Sequence, residues 1–143
     1  MEKPIKAGDD IVRLLLVGGL IVVGAYTANY HLGNSWSGWR IASVFHVIGG
    51  AYAFFFVRTV FLATKSRHQT RAVWWMEVAL FVSGAVMIGV FWEWYELLID
   101  RYKVFVLHEA SVMSYADNIG DLLWDTLGAC IGAYFFTRHG KRK

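Results

Sequence analysis

The chain has 143 residues, of which 57% are hydrophobic, 17% aromatic and 17% charged, with a single proline and seven tryptophans. That content is too apolar for an ordinary soluble domain and describes one integral membrane domain over residues 1–143. The formal charge of +3 does not indicate nucleic acid, because the basic residues flank apolar segments instead of lining a polar face.

The first apolar run, at about 11–30, follows Lys3, Lys6 and Arg13. Its flank resembles a secretory signal, but the apolar core is longer than a signal's, so a retained anchor is expected. Further runs at about 41–63, 73–99 and 119–136 each approach the roughly 20 residues that cross a hydrocarbon core. They lack the alternation of membrane strands, and a backbone in lipid must satisfy its own hydrogen bonds. The expected fold is therefore an all-α bundle of four transmembrane helices in direct contact with the lipid bilayer. Small residues, among them Gly18, Gly19, Gly24, Gly49 and Gly50, allow close helix contact. The Gly128 and Gly132 pair suits internal packing or dimerisation equally, so a homo-oligomer or a membrane-protein partner stays open. Cys130 has no partner for an intrachain disulfide and reads as a packing residue.

Four spans put the N-terminus, the second connection and the C-terminus on one side. That side collects Lys3, Lys6, Arg13, Lys65, Arg67, Arg71, Arg138, Lys141, Arg142 and Lys143, whereas the other has Arg40, Arg101 and Lys103. The positive-inside rule then places both termini in the cytoplasm. Trp36, Trp39, Tyr102 and Tyr115 would sit near the outer interface.

Asp117, Asp121 and Asp125 recur every four residues and so share one helix face. With this topology, His46 lies roughly 9 Å below the outer boundary, Asp121 about 6 Å and Asp125 about 12 Å. Glu93 falls near the depth of His46, and Glu96 is shallower. Acids within a bilayer usually mark function, so His46, Glu93, Glu96, Asp121 and Asp125 are expected to face one interior pocket with Asp117 at its mouth. Five clustered carboxylates need compensation by shared protons, a cation, a basic partner or open water. A hydrated network without ligand competes with a metal site. Oxygen-rich ligation favours Mg, Mn or Ca over zinc. There is no HExxH, paired ExxH, CxxC or defensible Ser-His-Asp arrangement. Tyr26, Asn29 and Tyr30 are candidates to close the fourth side. The connection 100–116, with His108 and Glu109, reads as a lid or as a solvated loop. Near the opposite boundary, Arg58 and Glu77 are expected to form a structural ion pair.

His46, Gly50 and Arg58, then Glu93-x-x-Glu96, then Asp117-x3-Asp121-x3-Asp125-x2-Gly128-Ala129 resemble the YjdF-type uncharacterised bacterial inner-membrane proteins and, more distantly, VanZ-like proteins. The resemblance covers residues 41–136. Ala42 and Ser43 stand where VanZ-like proteins have an acidic residue before the histidine, which makes the YjdF type the closer match. It implies a multi-pass inner-membrane protein of the cell envelope, and no reaction.

These residues support a small membrane protein whose outward acidic pocket binds a divalent cation, or a cationic or phosphate-bearing ligand. One alternative is a metal-dependent enzyme acting on an envelope lipid. There Asp121, Asp125 and Glu93 would hold the metal, and Glu96 or His46 would serve as acid or base. Another is a structural or accessory subunit. Transport is disfavoured, because strong polarity does not continue through both halves of the spans.

Overall fold

The computed structural model describes residues 7–32, 36–64, 74–111 and 113–140, excluding the side chains of residues 7–10, 29, 32, 36–40 and 139–140. Lys3, Lys6, Lys65, Arg67, Arg71, Lys141, Arg142 and Lys143 of the charge-bias argument lie outside the described residues, as do the side chains of Asn29, Trp36, Trp39 and Arg40. The chain forms four helices, α1 (Ala7–Leu32), α2 (Trp36–Thr64), α3 (Trp74–Val106) and α4 (Tyr115–Gly140). No strand occurs among the described residues. Three of the helices, over Ile11–Ala28, Ile41–Thr64 and Trp74–Val106, are long and apolar enough to cross a membrane. The 26 residues of α4 rise about 39 Å, which is sufficient length, but Asp117, Asp121 and Asp125 dilute its apolar character.

Helix α3 continues past the expected boundary at Ile99, because Asp100-Arg101-Tyr102-Lys103 contains no glycine or proline to stop it. Its 33 residues rise about 50 Å, well beyond a hydrocarbon core of roughly 30 Å. The expected connection 100–116 is thus corrected to a short link after Val106. The helix ends where His108 turns left-handed at φ 56°, and the amides of Leu107 and Glu109 return to the carbonyl of Lys103. Ser114 then starts α4: its hydroxyl oxygen accepts from the amide of Asp117 at 3.1 Å, capping a donor that the first turn leaves free.

The most extensive helix contact joins α2 and α4, which run parallel and are not adjacent in sequence. Glycines make it possible. A Cβ on Gly50 would overlap the backbone carbonyl of Asp125, and one on Gly128 would overlap the backbone of Val47. Gly132 meets the Phe54 ring at 3.2 to 3.3 Å from a built Cβ. Gly128 and Gly132 are therefore spent on internal packing, where lipid supplies no hydrophobic drive and close van der Waals contact must hold the helices. Helix α3 packs against both α2 and α4, whereas α1 packs along α2 alone. Tyr52 of α2 anchors it by donating its hydroxyl to the Leu14 carbonyl at 2.8 Å, in space that Gly18 leaves open.

The buried apolar core comprises Ala53, Phe54, Phe81, Ala85, Ala129 and Ala133. Edge-on ring contacts of 5.9 Å between Phe54 and Phe81 and 5.5 Å between Phe61 and Phe81 knit α2 to α3. This core fills the half of the bundle toward Arg58. The other half holds the polar residues, while Leu16, Leu20, Val23, Leu98 and Phe105 are exposed on the outside, as lipid-facing side chains should be. Cys130 is exposed too, so it does not pack inside the bundle.

Candidate functional site

The four-residue period of α4 turns Asp121 and Asp125 toward α2 and α3, and the close approach at Gly50 draws them against His46. His46 Nδ1 lies 3.3 Å from Asp125 Oδ1, and its Nε2 lies 3.6 Å from Asp121 Oδ2. With Asp125 as acceptor, Nδ1 carries the hydrogen, and Nε2 faces the Asp121 carboxylate, donating to it when the imidazole is protonated and offering a lone pair to a cation when it is neutral. A carboxylate behind an imidazole is how metal-binding histidines are commonly oriented.

Asp125 itself is 6% exposed and sits between two glycines. A Cβ on Gly89 of α3 would meet Asp125 Oδ2 at 2.6 Å, and one on Gly49 of α2 would meet Oδ1 at 3.9 Å. Neither glycine needs an unusual backbone here; Gly89 supplies the room for the carboxylate, whereas a side chain at Gly49 would only touch it.

Glu93 completes the cluster from α3. It is 4% exposed, and neither carboxylate oxygen has a hydrogen-bond partner. One of those oxygens lies within 4.8 Å of ligand atoms of both His46 and Asp121. Leaving a buried carboxylate unpartnered costs several kcal/mol in general, so the position calls for a proton, a cation or a basic partner.

The cluster borders a cavity of about 710 Å³ between the four helices. His46, Glu96, Asp100, Asp117, Asp121 and Asp125 line it, with Lys103 and Met113 toward the Asp117 end, whereas Glu93, expected to face the same pocket, is buried and is not among the lining residues. Tyr26 closes the fourth side as the sequence suggested, with its hydroxyl 3.5 Å from that of Tyr95 and its ring edge-on to Trp92 at 6.5 Å. Tyr30 does not contribute: it is 85% exposed and turns its ring toward His31. His108 and Glu109 are exposed and do not line the cavity. Instead Ser111 donates to the buried Asp100 at 2.8 Å, which fixes the link so that Met113 covers one edge. Asp100, Lys103 and Ser111 were missed because their stretch reads as interface and loop. The signal that could have found them is the unbroken helix through Lys103.

At the other end of α2, the Arg58 guanidinium lies 4.7 Å from the Phe136 ring centroid, a cation–π contact. Its Nε is buried without a hydrogen-bond partner.

The fold and the cluster together define a helical membrane protein with polar side chains gathered inside one half of its bundle. The chain belongs to the family described as predicted membrane protein (DUF2238), which matches residues 11–142 and includes the YjdF-type proteins. No curated protein and no solved structure matches it.

Proposed function

We propose that the chain is a four-span protein of the bacterial inner membrane whose cavity binds a divalent cation through His46, Glu93 and Asp121. Asp125 holds the imidazole, and Glu96 and Asp117 stand nearer the mouth. The observation that carries this reading is the buried Glu93 carboxylate, without a hydrogen-bond partner and within ligand distance of the other two. One nitrogen and two carboxylates suit Mn²⁺, and with added water Mg²⁺ or Ca²⁺. A cation held by three side chains keeps coordination positions open for a phosphate-bearing ligand. Catalysis on such a ligand is the alternative, with Glu96 as the base nearest the open side; an accessory subunit needs no such convergence. A distant VanZ-like relationship accords with a role in the cell envelope.

Metal analysis of protein purified without chelator tests the reading. We expect close to one equivalent of metal in the wild type and loss of it in the Asp121→Asn, Asp125→Asn double variant. Equal metal content in the two proteins, or none in the wild type after Mn²⁺ loading, rejects the site.

The orientation follows from the bias of basic residues, with both termini in the cytoplasm and the cavity toward the outside. A C-terminal fusion should make a cytoplasmic reporter active and a periplasmic one silent; the reverse pattern moves the cavity to the inner half. Arg58 and Glu77 we take as a charge-compensating pair at the inner boundary. Exchanging the two residues should recover more membrane-inserted protein than either single reversal, and equal yields would remove direct pairing.

A further inference from the structure

We infer that the cavity takes a single-chain membrane amphiphile with a phosphate head, the phosphate completing the coordination of the proposed cation and the hydrocarbon chain lying between α1 and the α2–α3 wall. This inference rests on the metal reading above.

The lining divides by polarity along the bundle axis. Carboxylates and Lys103 occupy the Asp117 end, whereas Gly19, Val22, Ala53, Ala85 and Ile88 line the other. The one polar group in that apolar stretch is Tyr52, and its hydroxyl is already committed to the Leu14 carbonyl. Among the described residues, that stretch offers a sugar, nucleotide or peptide no free side-chain donor, and its one side-chain acceptor is the Tyr52 hydroxyl oxygen. From Tyr26 back to Leu15 the apolar wall on α1 extends about 16 Å by helical rise, so the cavity is elongated along the direction in which lipid chains run. Its volume of about 710 Å³ lies within the roughly 300–1,000 Å³ typical of small-molecule sites.

The way in also points to lipid. Among the described residues, α1 packs along α2 and not along α3 or α4. It reaches α3 through Tyr26, against Trp92 and Tyr95 near the Asp117 end. Below that contact the seam between α1 and α3 is not sealed by helix packing, and Leu15 on α1 and Ile88 on α3, which line the cavity there, are exposed apolar residues. A seam so bordered faces the hydrocarbon of the membrane.

Coordination decides which head group fits. A phosphate alone would meet the five carboxylates that line the cavity, Glu96, Asp100, Asp117, Asp121 and Asp125, and be repelled; a divalent cation at His46, Glu93 and Asp121 would offset two of these charges and offer the phosphate oxygen a direct coordination position. Lys103 then adds a second positive group at the mouth.

Native mass spectrometry of the full-length protein, loaded with Mn²⁺ in a large-headed detergent, tests the inference. Hexadecyl phosphate and farnesyl phosphate are the chain-bearing probes, and ethyl phosphate is the chainless control. Gly19→Phe is the discriminating variant. Gly19 lines the cavity, and a Cβ there meets nothing within 4 Å, so the ring fills the groove without disturbing helix contacts or the cation ligands. The expected result is an Mn²⁺-dependent adduct with a chain-bearing phosphate, at least about tenfold weaker in Gly19→Phe while Mn²⁺ is retained. Preference for hexadecyl or farnesyl phosphate would assign the chain to an acyl-type or an isoprenoid-type lipid. Mn²⁺ binding with equal affinity for ethyl and hexadecyl phosphate, or with no weakening in Gly19→Phe, overturns the inference and leaves the metal site standing. Failure of the wild type to bind Mn²⁺ overturns both.

Discussion

Glu93→Met should stabilise the metal-free protein and at the same time remove its response to metal. Methionine has a similar length and no charge, so it occupies the same space without leaving carboxylate oxygens unpartnered. Relief of that desolvation is worth about 1 to 3 kcal/mol. In the wild type, Mn²⁺ at a hundred times its dissociation constant should add about 2.7 kcal/mol through its preference for the folded state. The variant should gain nothing. Thermal unfolding in chelator and in Mn²⁺ therefore predicts a crossing, with the variant more stable in the first and the wild type catching up or passing it in the second. A variant less stable than wild type in chelator would mean that Glu93 is already satisfied, and the reason for placing a cation there would vanish. Asp125→Asn should act more gently. It keeps the bulk but weakens the hold on the imidazole, and a loss of about 10- to 100-fold in metal affinity is typical for such a supporting group.

The second large effect is expected at Gly50 and Gly128. Alanine at either position drives a methyl group into the backbone of the opposing helix, at the Asp125 carbonyl from Gly50 and at the Val47 carbonyl from Gly128. Backbone cannot swing aside as a side chain can, so α2 and α4 must separate, and the destabilisation should reach about 3 kcal/mol or more. The same separation pulls Asp125 away from His46, so metal affinity should fall with stability. Gly19→Ala is the control. With no neighbour within 4 Å, it should be neutral or gain up to about 1 kcal/mol from helix propensity. Reversible unfolding in mixed detergent would measure all three. If Gly50→Ala stays within about 0.5 kcal/mol of wild type, the helices do not approach as closely as described.

The helices were legible in the sequence because apolar runs in lipid leave the backbone no other solution, and three of the four are long and apolar enough to cross a membrane. The acids were legible as a group for a related reason. Ionisable residues inside such runs are expensive and tend to share an interior face, and the fourfold spacing of Asp117, Asp121 and Asp125 marked that face directly. The end of α3 was not legible, because Asp100, Arg101 and Lys103 look like an exit from the membrane although they are compatible with helix. That misreading hid the Asp100–Ser111 tether and the place of Lys103 on the cavity.

Sequence by itself thus determined the class of protein, its helical elements and which polar residues were candidates for a cluster, since each depends on local hydropathy and helical period. The roles within the cluster were decided only by tertiary structure. Which glycines would be consumed between α2 and α4, that Asp125 would sit behind the imidazole while Asp121 faces its other nitrogen, and that Glu93 would be buried without a partner all depend on how two helices separated by 50 residues of chain come into register. Small residues permit many such contacts along a helix. The one realised is set by fitting backbone against backbone at Gly50 and Gly128, and no local pattern encodes that fit.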